Sequence, residues 1–102
     1  MEGVNLLRKL TKQKHVVEAW KVIGEWEFLI ETPTPEGLTK VKIKVLMDEN
    51  GRYLAYPNIY VDGYIPIHIY SSVDEAVSTT LLLVIEKLTQ SNSPKIQPYK
   101  DY

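Results

Sequence analysis

The stretch from Asp48 to Leu88 constrains this chain most, because it spells a turn, a β-hairpin and a capped apolar helix in succession. Asp48-Glu49-Asn50-Gly51 is a turn signal, since Asn-Gly tolerates the positive φ of tight turns. Arg52 to Val61, rich in Tyr, Ile and Val, reads as a strand. Asp62-Gly63 is a second turn, and Tyr64 to Tyr70 a second strand. Ser72 then opens a capping box, with Glu75 reaching back to it. The spacing predicts a helix from Val73 to about Thr89, with Val73, Val77, Leu81, Val84 and Leu88 as its core stripe. Leu81 to Ile85 is apolar throughout, more than one face can hold. The helix should therefore be covered on two sides, and a homodimer through Val73–Leu88 is one candidate for the second cover.

The register of the hairpin decides its surface. A two-residue turn at Asp62-Gly63 would mix apolar and aromatic residues on both faces. A three-residue loop, with Gly at its left-handed position, puts Ala55, Pro57, Ile59, Ile65, Ile67 and Ile69 on one face. Tyr56, Asn58, Tyr60, Tyr64, His68 and Tyr70 then share the other. The second register gives the clean apolar face a half-buried sheet needs, so it is the one expected. Pro57 and Pro66 cannot donate to a ladder, which predicts a free edge or a break near one of them.

Upstream, Val4 to about Lys14 reads as an amphipathic helix with Leu6, Leu7 and Leu10 inward and Arg8, Lys9, Lys12 and Lys14 outward. His15 to Ile23 fits two readings. Its apolar spacing is helical, which would give one long helix from Val4 to Ile23, but Val16, Val17, Val22 and Ile23 are β-branched. Strand is favoured, with Gly24 as a bulge. Trp26, Phe28 and Ile30 alternate with Glu25, Glu27, Leu29 and Glu31, and Val41, Ile43, Val45 and Met47 with Lys40, Lys42 and Lys44. These are two half-buried strands joined by a loop at Pro33 to Gly37, and cross-strand Glu–Lys pairs would cover their wet face.

Glu36-Gly37, Val41, Ile43, Met47, Asp48 and Glu49 recur 26 residues later as Asp62-Gly63, Ile67, Ile69, Val73, Asp74 and Glu75. A duplicated hairpin motif over 25–49 and 51–75 would place a groove between two similar halves. The predicted architecture is a single α+β domain over 1–90. It holds an antiparallel four-stranded sheet made of two similar hairpins, a short N-terminal helix and a long C-terminal helix packed on the sheet. Residues 91–102, polar and holding Pro94 and Pro98, read as an extended or disordered tail, or as an arm docking on a partner through Tyr99 and Tyr102.

Functional signals are few. A net charge of −1 gives no global pull towards nucleic acid or membrane. The chain has no cysteine, its first ten residues lack the apolar core of a signal peptide, and its apolar runs are too short to span a bilayer. A cytoplasmic protein is expected. His15 and His68 would need Asp48 or Asp74 to converge on them to hold a metal. The acid pairs Asp48-Glu49 and Asp74-Glu75 already serve turn and cap. Ser71, Ser72 and Ser78 lack an evident base, and no Gly-rich phosphate loop is present. No catalytic residue, metal or cofactor is therefore expected. Tyr56, Asn58, Tyr60, Tyr64, His68 and Tyr70 remain as a candidate docking surface for a protein or peptide. Arg8, Lys9, Lys12 and Lys14 remain as candidate nucleic-acid contacts.

The run Asp48-Glu49-Asn50-Gly51-Arg52-Tyr53-Leu54-Ala55-Tyr56-Pro57, followed by Ser72 and Glu75-Ala76, resembles the HicB-like antitoxin family over residues 40–88. That resemblance implies a small βββα unit of partial ribonuclease-H type and a toxin-like protein partner. It implies no active-site residues, and no DNA-binding helix-turn-helix or ribbon-helix-helix follows in this chain. In composition the sequence is also similar in style to small orphan proteins of crenarchaeal viruses, which would place it in a host cytoplasm.

Overall fold

A computed structural model describes residues 3–33, 37–63, 69–90 and 94–102. The fold is α+β: a short N-terminal helix, an antiparallel sheet region and a long C-terminal helix packed against it. Helix α1 spans Val4–Thr11. Strands β1 (Lys21–Glu31), β2 (Leu38–Met47) and β3 (Tyr53–Pro57) form one sheet in that order. Strand β4 (Ile59–Val61) pairs antiparallel with β5 (Ile96–Pro98), and α2 spans Val73–Thr89 between them.

Alternation sets the sheet. Val41, Ile43, Val45 and Met47 are all buried, while Lys40, Lys42 and Lys44 face outward. The register puts Trp26 opposite Ile43 and Phe28 opposite Val41, so aromatic rings and β-branched side chains share the inner face. On the wet face Glu27 lies 3.9 Å from both Lys40 and Lys42, the part of the predicted charge ladder that forms among the described residues. Such exposed pairs contribute at most about 1 kcal/mol each. A register shift between Val22 and Gly24 is the expected bulge. The ring of Trp26 lies over Gly24, and a Cβ there would sit 3.1 Å from it. Residues 12–20 are neither helix nor strand, so the single long helix does not form, and the strand expected from His15 begins only at Lys21. Lys12 and Gln13 close tight turns onto Lys9 and Leu10, and His15 takes φ +75°, which ends the helical path before Val16 and Val17.

Helix α1 meets the sheet through Val4 and Leu7, against Met47. Leu6 and Leu10, expected in its stripe, are exposed. The helix has two turns and lies over the end of the sheet, so only one narrow line of side chains reaches the core. In α2, Ala76, Thr80, Val84 and Leu88 are the innermost residues, each one turn from the next. Val77, Leu81 and Leu83 flank them against the same core, and within the apolar run only Leu82 stands clearly out, at 65% exposure. Most of that run is thus covered by the chain itself. Ser72 caps α2 by accepting the Glu75 N–H at 3.1 Å, but the Glu75 carboxylate accepts from the Ser71 hydroxyl at 2.8 Å.

The Asp48 turn forms as its sequence dictates. Its Oδ1 accepts the N–H groups of Asn50 and Arg52, each at 2.9 Å, and its Oδ2 meets Arg52 Nε at 3.1 Å. Gly51 supplies φ +78°. Downstream the ladder breaks directly after Pro57, as its missing donor predicts. Asn58 bridges the break: its N–H donates to the Lys42 carbonyl and its Oδ1 accepts the Lys42 N–H, both at 2.8 Å.

The second hairpin departs from expectation. Tyr64, Ile65, Pro66, Ile67 and His68 lie outside the described residues. Tyr70 pairs with Tyr53, an odd position against an even one, rather than in the even–even register. Paired residues share a face, so Tyr70 points inward with Ala55. It is only 3% exposed, and its hydroxyl lies 3.3 Å from that of Thr80, which is fully buried. Ile69 is turned out instead, at 55% exposure. Among the described residues, β4 takes its partner from the C-terminal segment. No helix of the described residues is long and apolar enough to cross a membrane.

Candidate docking surface

Tyr56 stands on the outer face of β3, opposite Lys44 of β2. Tyr60 lies on β4, beyond the Asn58 break. The last residues of the chain then fold over both. Asp62 donates to the Lys95 carbonyl at 3.1 Å, and the Tyr99 N–H to the Asn58 carbonyl at 3.0 Å. The Tyr99 ring lies 6.1 Å from that of Tyr56 and 6.4 Å from that of Tyr60, tilted by 46° and 42°. These are ordinary separations for favourable aromatic pairs. Lys44 Nζ sits 4.5 Å from the Tyr102 ring centroid and donates to the Tyr102 carbonyl at 2.8 Å. The segment read as a tail or a partner-seeking arm anchors through both tyrosines on its own sheet.

The expected face is therefore rearranged. Tyr56 and Tyr60 share one half-exposed cluster, joined by Tyr99. Asn58 belongs to the framework, since its side chain replaces a ladder bond. Tyr70 is a core residue. Tyr64 and His68 are outside the described residues. Sequence reasoning missed Lys44, Tyr99 and Tyr102 as parts of this cluster. The signal was faint: a short Ile96-Gln97-Pro98-Tyr99 alternation in a polar stretch.

Beside Tyr56 an open groove of about 350 Å³ runs between the outer face of β3, the Asp48–Arg52 turn and the segment after α1. Leu54, Tyr56, Trp20, Val17 and Ile69 give it apolar walls. Val17 is 86% exposed, and Trp20 and Ile69 are exposed beside it. Its charged rim is largely acidic: Glu18, Asp48 and Glu49, against Arg52, which Asp48 already holds. The field reaches the ring below. Burial raises the pKa of the Tyr56 hydroxyl, and Asp101 and then Glu18 push it the same way. The Tyr99 hydroxyl is raised by burial first, then by Asp101 and its two tyrosine neighbours.

Arg8, Lys9, Lys12 and Lys14 are all exposed. Arg8 donates to the Glu49 carbonyl at 3.0 Å, so one of the four ties α1 to the Asp48 turn. Among the described residues no three His, Asp or Glu side chains converge as metal ligands would. Comparison with family models, with curated proteins and with solved structures finds no match to this chain.

Proposed function

We propose that this chain is a non-enzymatic protein-interaction module, and that a protein or peptide docks in the groove beside Tyr56. The observation that carries this reading is the grouping of Val17, Trp20 and Ile69, all exposed, around an open concavity next to the tyrosine cluster. Exposed aromatic and aliphatic side chains around a concavity are where anchoring residues of a partner gain most. The acidic rim favours a partner whose apolar anchor is flanked by Lys or Arg. The sequence resemblance over residues 40–88 supports a narrower form, in which the partner is a toxin-like protein.

Nucleic acid is the rival occupant, through Arg8, Lys9, Lys12 and Lys14 with stacking on the aromatic residues. The rim of Glu18, Asp48 and Glu49 opposes a phosphate chain at the groove itself. The two readings separate in a pull-down of the full chain from its native extract, with nuclease added. The interaction reading expects a protein retained by the wild-type chain and lost from Trp20→Ala/Tyr56→Ala. Capture that disappears with nuclease, or survives both substitutions, overturns it.

A further inference from the structure

Strand β1 is an edge. Among the described residues its sole strand partner is β2, and it runs for eleven residues. Alternate residues of an edge strand aim their N–H and C=O groups away from the sheet, so about five residues of β1 offer a backbone template. The bulge between Val22 and Gly24 interrupts that template at one end and leaves Gly24 to Glu31 as its regular part. This edge is separate from the Tyr56 groove, since β1 and β3 lie on opposite sides of β2.

The side chains along it specify an occupant. Glu25, Glu27, Leu29 and Glu31 are exposed on the outer face. Glu27 is shared by Lys40 and Lys42. Lys44, opposite Glu25, is turned to the Tyr102 carbonyl, and Glu31 stands opposite Leu38. Glu25 and Glu31 thus have no ion pair among the described residues. On the inner face Trp26, Phe28 and Ile30 are half-buried and line the rim of the core. A second copy of β1 is the wrong occupant, because antiparallel pairing of two such strands sets glutamates against each other. The matching pattern is the one β1 already holds on its other side, Lys40-Val41-Lys42-Ile43-Lys44.

We propose that the open edge of β1 takes an extended protein segment in which Lys or Arg alternates with aliphatic residues, added as a further strand. The cations of the segment face Glu25 and Glu31, and its aliphatic side chains extend the inner face beside Phe28 and Ile30.

The test uses the full chain, labelled with ¹⁵N, and a capped peptide with the sequence of Leu38–Met47. Saturable binding is expected, with amide shifts centred on Gly24 to Glu31. Glu25→Gln/Glu31→Gln lies on the surface and should keep its native spectrum while losing about tenfold in affinity. A peptide N-methylated at alternate residues, on the edge that would face β1, should fail to bind, because main-chain hydrogen bonds carry strand addition. No saturable binding up to about 1 mM overturns the proposal, since a weaker Kd leaves too little binding free energy for a paired strand with two ion pairs. So do equal binding by a peptide carrying Glu for Lys, unchanged binding by the N-methylated peptide, and shifts centred on β2 or on the Tyr99 cluster.

Discussion

The ring of Tyr99 lies 6.1 Å from that of Tyr56, and this contact ties the C-terminal segment, itself paired with β4, to the outer face of β3. The segment is held by three strand residues, two ring contacts and the Lys44–Tyr102 pair. Tyr99→Ala should free it while leaving the β1–β2–β3 core folded. Aromatic pairs of this kind contribute about 0.5–1.5 kcal/mol each, so the two together are a sizeable fraction of a small domain's stability. Limited proteolysis should then cut after position 94 several times faster, and the thermal midpoint should fall by several degrees. Tyr102→Phe should behave oppositely, because the Tyr102 hydroxyl is buried with no hydrogen-bond partner among the described residues.

The Tyr70–Thr80 contact predicts a double-mutant signature. Tyr70→Phe strands the buried Thr80 hydroxyl and should cost about 1–2 kcal/mol in urea unfolding. Adding Thr80→Val removes the stranded group and should recover part of that loss. Tyr70→Ala should cost about 3–5 kcal/mol, as a core cavity does. An exposed Tyr70 would give near-zero values throughout.

Asp48→Ala should destabilise by about 1–3 kcal/mol, because the Asn50 and Arg52 N–H groups lose their acceptor at once. Asp48→Asn keeps an oxygen for them and should cost less. Chemical denaturation of both variants checks the order.

Stability should fall in alkali. Burial raises the pKa of Tyr56, Tyr70 and Tyr99 in the folded chain. A raised folded value means the folded state holds its proton more tightly than the unfolded chain. The contribution is whole below the unfolded value of about 10 and is lost as pH rises through the folded values. Urea midpoints should therefore be level near pH 8 and decline above pH 10, less steeply in Tyr70→Phe.

Much of this fold is legible from local pattern. The Lys40–Met47 alternation, the Asp48-Glu49-Asn50-Gly51 turn, the Ser72 cap and the break after Pro57 each follow from residues a few positions apart. Tyr70 does not, because its side depends on the register in which it meets Tyr53, and a shift of one residue exchanges the faces. Ile69 and Tyr70 changed places for that reason. The C-terminal strand was illegible on different grounds: Ile96 to Pro98 lacks the length to signal a strand, and its partner Ile59–Val61 lies over thirty positions away. The groove beside Tyr56 depends on both features, since the folded-back segment packs on one side of the Tyr56 ring and Ile69, turned outward, lines the other side with Trp20.

The most direct measurement is photo-crosslinking in the native extract, with a benzophenone side chain in place of Val17 in one protein and of Leu82 in another. Val17 stands at the groove, and Leu82 is exposed on α2. The interaction reading predicts a discrete protein adduct from position 17, absent when Trp20→Ala is added, and none from position 82. A discrete adduct from position 82 alone, or one at position 17 that Trp20→Ala leaves unchanged, would contradict it.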